Sequence, residues 1–155
     1  MYWRLKRKEF QKQYGEANKR AMKKIIKSGE VPGILAYFEG RPVGWCSVAP
    51  REAFPVLDRS PKLKRIDDKP VWSIVCFFVS KPFRRKGVTK ALTQAAIKYA
   101  KGKGAKIIEA YPIIPEDSKN PALEMYTGII TTFKKLGFKE VIRRSKIRPI
   151  TRYYI

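Results

Sequence analysis

The sequence contains no histidine, and its two cysteines, Cys46 and Cys76, stand far apart along the chain. Without histidine there is no Ser-His-Asp triad, no imidazole general base, and no His-ligated zinc or c-type haem site. Two isolated thiols complete neither a four-cysteine metal site nor a disulfide framework, which points to a reducing, intracellular compartment. Acidic residues are also scarce, 13 against 35 Lys and Arg, for a formal net charge of +22. No apolar run approaches the ~18 residues of a membrane span. The opening Met1-Tyr-Trp-Arg-Leu-Lys-Arg-Lys8 carries no apolar signal region. The expectation is a soluble, cytoplasmic protein with no membrane partner.

What is present suffices for one folded domain over residues 1 to 155. Hydrophobic residues make up 44% of the chain, and at this size roughly 69% of the unfolded surface is removed from water on folding. The positive charge is unevenly spread. Residues 1 to 30 hold ten basic and three acidic side chains, 58 to 69 hold five and three, and 134 to 152 hold eight and one. Residues 81 to 108 hold nine basic side chains and no acid. Uniform sign around a glycine-containing turn suggests a fixed anionic partner.

Read in order, Phe10, Tyr14, Ala17, Ala21, Ile25 and Ile26 recur at helical spacing, predicting one amphipathic helix whose lysine-rich outer face is either simply solvated, the favoured reading, or a binding surface. Ile34 to Phe38 and Val43 to Val48 read as a hairpin around Glu39-Gly40-Arg41-Pro42. Pro50 to Pro70 is punctuated and aperiodic, predicting a long functional loop or lid. Val71 to Val79 is almost wholly apolar and predicts a central strand buried on both faces. A helix follows from Val88 with the stripe Val88, Leu92, Ala95, Ala96 and Tyr99, closed by Gly102 and Gly104. Lys106 to Tyr111 reads as a strand. A helix with Tyr126, Ile129, Ile130, Phe133 and Leu136 on one side follows Asn120-Pro121, and Phe138 to Ile155 reads as two strands broken near Pro149. The class is α/β or α+β, without internal repeats.

The turn between the central strand and its helix carries the chemical argument. A helix start leaves backbone N–H groups unpaired and bears partial positive charge, and a glycine lets the backbone approach an anion closely. Arg84, Arg85 and Lys86 add full charges there. The pattern is neither a P-loop nor GxGxxG. Val79-Ser-Lys-Pro-Phe-Arg84-Arg-Lys-Gly87-Val-Thr89-Lys-Ala-Leu92 resembles the Arg/Gln-x-x-Gly-x-Gly/Ala signature of the GNAT superfamily of N-acetyltransferases, with Thr89 where Gly or Ala is usual. The hairpin with Gly40 and Gly44 resembles the family's second and third strands, and Phe133-Lys-Lys-Leu-Gly137-Phe138 its closing Tyr-x-x-x-Gly-Phe segment. The resemblance covers roughly residues 31 to 155.

The resemblance implies a single GNAT-like domain: a central mixed, mostly antiparallel sheet flanked by helices. It implies acetyl-CoA as donor and direct attack of a primary amine on the thioester. The backbone near Phe78 and Val79 would hold the pantetheine arm, and N–H groups of Arg84, Arg85, Lys86, Gly87, Val88 and Thr89 the pyrophosphate. The family's acid tyrosine falls at Phe133, which cannot donate a proton; Tyr126 or Tyr111 could replace it or serve only as packing residues, or the thiolate leaves unaided. The base glutamate of several members falls at Ser73, which could order a relay water.

Glu109 is the other carboxylate candidate, since alternation sets it with Ile107 and Tyr111 on one face of an apolar strand; its alternative is a salt bridge. Asp67 and Asp68 could bind a cationic amine or cap a turn. Cys46 and Cys76 read as small core residues, and Trp45 and Trp72 as core packing or acceptor-pocket lining. Two further readings stay open. The +22 charge suits a nucleic-acid-binding module, or a basic surface that recruits an RNA-bound or ribosomal amine. Phe133 and Ser73 also suit a non-catalytic acyl-CoA sensor.

Overall fold

The β-branched and aromatic runs form six strands: β1 (Ile34–Phe38), β2 (Arg41–Pro50), β3 (Trp72–Val79), β4 (Ile107–Ala110), β5 (Lys139–Ile142) and β6 (Ile150–Tyr154). A computed structural model describes residues 1 to 155, apart from the side chain of Ala122. The strands make one sheet in the order β1-β2-β3-β4-β6-β5. Every neighbouring pair is antiparallel except β3 and β4, which run parallel. A parallel pair needs a crossover, and the helix α4 (Val88–Gly102) supplies it.

Two cores flank the sheet. On one face Leu92, Ala96 and Ala100 of α4 pack on Cys46, Val48, Ile74, Ile108 and Phe133. Burying Leu92 alone is worth about 1.5–3 kcal/mol. Close approach of α4 depends on Gly44, because a Cβ there would stand 2.9 Å from Val88 Cγ1 and 3.1 Å from Leu92 Cδ1. On the other face Trp3, Phe54, Leu57 and Leu63 pack on Val75, Tyr111 and Ile150.

Several expected elements differ. The first helix is two, α1 (Arg7–Lys12) and α2 (Glu16–Lys27), because Gly15 between them takes φ 72°. The segment 50 to 70 is not an open lid. It forms a 3-10 turn and a short helix α3 (Pro55–Arg59), sends Phe54, Leu57 and Leu63 into the second core, and buries Arg51. The helix expected after Pro121 is interrupted: α5 (Pro121–Glu124) leads through a 3-10 turn to Gly128 at φ 86°, and α6 (Ile130–Lys135) starts afresh. On this backbone a side chain at 128 would also collide with α6, its Cβ standing 2.6 Å from Phe133 Cε2. On β3 the burial expected on both faces fails at Phe78, which is 59% exposed. On α4, Ala95 faces solvent and Thr93 is buried in its place, its hydroxyl donating to Thr89 O at 2.8 Å.

Candidate active site

The turn expected from the sequence to cradle an anion joins β3 to α4. Arg84 donates from Nε to Val79 O at 3.0 Å, closing the loop back on its strand. Arg85 at φ 61° and Gly87 at φ 80° both take the left-handed region, which turns successive backbone amides toward one side. Intrahelical bonding begins only with Ala91 N–H to Gly87 O at 3.1 Å. Val88, Thr89 and Lys90 N–H are therefore free at the start of a long helix. Arg84, Arg85 and Lys86 are exposed around them. Donors, dipole and cations converge, which fits a pyrophosphate.

Beside this turn the sheet opens. β4 pairs with β3 only at Trp72, Ser73 and Ile74, so the C-terminal half of β3 has β2 on one side and a free edge on the other. Ser80 N–H donates to Val43 O. Alternation then turns the backbone of Phe78 toward β2 and that of Phe77 and Val79 toward the free edge. The register between β2 and β3 slips opposite Ser47 and Val48, leaving Val75 as an extra, bulged residue. A bulge points a backbone amide out of the ladder, here where the free edge begins, one residue past the last pairing with β4.

A cavity of about 270 Å³ abuts this part of β3 on the second-core face, lined by Trp3, Arg4, Phe10, Trp45, Cys76 and Tyr126 among others. It is largely apolar, with a single guanidinium and no carboxylate among the described residues. Burial pushes the Cys76 thiol up to about 11 and also raises the Tyr126 phenol. Both stay protonated near neutral pH, so Cys76 is not a nucleophile and Tyr126 remains a donor. Burial likewise raises Cys46, a core thiol.

Glu109 lies elsewhere, at the centre of a buried ionic chain. Arg51 Nη1 donates to its Oε2 at 3.0 Å and Arg152 Nε to its Oε1 at 2.9 Å. Each arginine takes a second carboxylate nearer the surface, Asp58 at 2.7 Å and Asp67 at 2.6 Å. Tyr111 OH donates to Glu109 Oε2 and meets Ser73 Oγ, both at 2.8 Å. Register explains the gathering: Ser73, Glu109 and Arg152 are direct partners across β3, β4 and β6. Glu109 and Arg51 are each 1% exposed, so every charge here is matched, as burial demands. The chain clamps the segment 50 to 70 onto the sheet. Burial raises the Tyr111 phenol well above its ordinary range. Asp67 also accepts from Lys69 N–H at 3.2 Å, so it both caps a turn and pairs with Arg152.

The sequence matches the family described as Acetyltransferase (GNAT) family over residues 1–128. The chain belongs to the GNAT acetyltransferase family. Solved structures similar to it include the ribosomal-protein-alanine N-acetyltransferase of Brucella melitensis, at TM-score 0.57 and 16% identity, covering 90% of this chain and 78% of that one. The NatC complex bound to a Gag peptide and CoA aligns at TM-score 0.56 and 12% identity, over 88% and 79%. A ribosomal-protein alanine N-acetyltransferase from Escherichia coli aligns at TM-score 0.51 and 15% identity, over 85% and 76%. A comparison with curated protein sequences gives no match.

Membership makes the chain an N-acetyltransferase by class, with acetyl-CoA as the family's donor. For a GNAT enzyme the candidate residues divide into two groups. Arg84 to Thr89 and the free edge of β3 lie together on the α4 side, and Tyr126 lies against the cavity beside β3. Ser73, Glu109 and Tyr111 form the enclosed network, with Ser73 and Tyr111 fully buried. Phe133 is buried between Phe77 and Phe138. Trp45 lines the cavity, whereas Trp72 packs edge-on against Tyr99. Sequence reasoning missed Arg4, Arg51, Arg152 and the bulge at Val75. Arg51 and Arg152 are single basic residues among 35, and only strand register selects them.

Proposed function

We propose that this GNAT enzyme transfers the acetyl group of acetyl-CoA to a primary amine that enters the cavity beside β3. The observation that carries the reading is the turn 84 to 90, where left-handed Arg85 and Gly87 set free amides and three cations around one point next to the free edge of β3. Acetyl-CoA supplies an activated thioester. The amides of Arg85 to Thr89 would bind the pyrophosphate, Arg84 N–H being engaged by Lys81 O; Val79 and its neighbours on the free edge would hold the pantetheine arm, and the amide at the bulge would be placed to polarise the thioester carbonyl.

Tyr126, protonated and lining the same cavity as Cys76, would donate its proton to the departing thiolate and take one from the attacking nitrogen, so that a neutral amide and a free thiol form and the phenol is restored. No enzyme carboxylate is needed as base. In an apolar cavity, desolvation lowers an amine's pKa, so the acceptor sheds its proton to water before attack; Arg4 adds little like charge there, because its Nη1 is paired with Glu30 at 2.8 Å. Glu109 and Ser73 hold the fold behind the site. The structural similarity to ribosomal-protein alanine N-acetyltransferases supports a protein α-amine as the acceptor, in a cytoplasmic setting. Burial of Phe133 and pairing of Glu109 favour one other reading, an acyl-CoA sensor without turnover.

Titration with acetyl-CoA tests the cradle. The double variant Arg84→Ala, Lys86→Ala is expected to bind at least tenfold more weakly, since each hydrogen bond to a charged group contributes about 1.5–3 kcal/mol. Unchanged affinity would refute the assignment.

A further inference from the structure

Only part of the +22 charge belongs to the transfer site, and α2 carries a separate, ordered share of it. Lys23 and Lys24 each stand three or four positions from both Arg20 and Lys27, so the four side chains cluster on one side of the helix. All four are exposed, and none has an ion-pair partner among the described residues; the acids nearby are spent on Lys19 through Glu16 and on Lys6 N–H through Glu9. Met22, two positions from Arg20, lines the cavity on the opposite side of the same helix. Tyr14, 81% exposed, stands just before the Gly15 break at the start of α2.

We infer that the outer face of α2 is a docking surface for single-stranded RNA, one helix diameter from the acceptor cavity. A cluster of cations on one side of a helix follows a phosphate backbone, and an exposed aromatic ring at its end stacks on a base. Four unpaired cations side by side repel one another, which a polyanion relieves. An acceptor amine carried by an RNA-bound protein would thereby be brought to the cavity, but the docking face itself does not depend on the transfer chemistry.

The test is fluorescence anisotropy of a labelled single-stranded RNA 15-mer with the full chain over a range of KCl concentrations. Neutralising the cluster (Arg20→Gln, Lys23→Gln, Lys24→Gln, Lys27→Gln) is expected to weaken binding more than tenfold and to flatten the log–log salt slope by about 3, at roughly 0.7 per phosphate lost. Tyr14→Ala is expected to cost about fivefold or more. Neutralising Lys98, Lys101, Lys103 and Lys106, on and just after α4, removes the same charge and is expected to leave RNA affinity within about twofold. Circular dichroism and acetyl-CoA affinity report whether each variant is folded and whether the transfer site is intact. An equal loss from the α4 set, no loss from the α2 set, or tighter binding to phosphatidylserine vesicles than to RNA would overturn the inference.

Discussion

Tyr126 and Tyr111 separate by surroundings rather than by residue type. Tyr111 shares its hydroxyl with Ser73, Glu109 and Arg51 in a fully buried network, whereas Tyr126 lines the cavity beside β3. Tyr126→Phe is therefore expected to lower kcat at least tenfold with little change in acetyl-CoA affinity, measured by thiol release under saturating donor. Tyr111→Phe would act on stability. The ionic chain also has a pH signature at Asp67. Its carboxyl, hydrogen-bonded by Arg152, is held down at about 2. A depressed carboxylate contributes stability that is present above its unfolded pKa of about 3.9 and lost as pH falls toward 2. Asp67→Asn is expected to be less stable at pH 7 and to lose less between pH 4 and 2, followed by urea denaturation across that window. An unchanged acid-side slope would contradict the clamp.

Elements were legible in proportion to how local their causes are. The Val71–Val79 run, the helix from Val88 and the basic turn between them are written in consecutive residues, and the strands and helix form where patterning sets them. The Gly15 and Gly128 breaks were not legible, because apolar spacing runs through both while the backbone turns left-handed at each. The 50 to 70 segment looked aperiodic because its order comes from partners far along the chain, Glu109 and Arg152 holding Arg51 and Asp67. Of the site, the anion-binding turn was visible in its own residues, but Glu109's partners and the bulge at Val75 depend on strand register. Gly44 illustrates an element-scale constraint. Gly44→Ala is expected to push the first turn of α4 off β2, costing about 1–3 kcal/mol in denaturation and weakening acetyl-CoA binding, since the turn 84 to 90 moves with it.

At the scale of the whole molecule, the absence of histidine and the excess of positive charge bear on one mechanism. The transfer proposed above calls for no imidazole, and in it an apolar cavity favours the neutral form of the attacking amine. The same charge repels polycationic acceptors and suits amines borne on neutral or anionic carriers. The most direct test is to incubate the full chain with acetyl-CoA and a library of peptides with free N-termini, following thiol release and peptide mass together. The account predicts one equivalent of free CoA for each acetylated peptide amine. Acetyl-CoA binding with no acetylated amine and no thiol release would contradict it and leave an acyl-CoA sensor in its place.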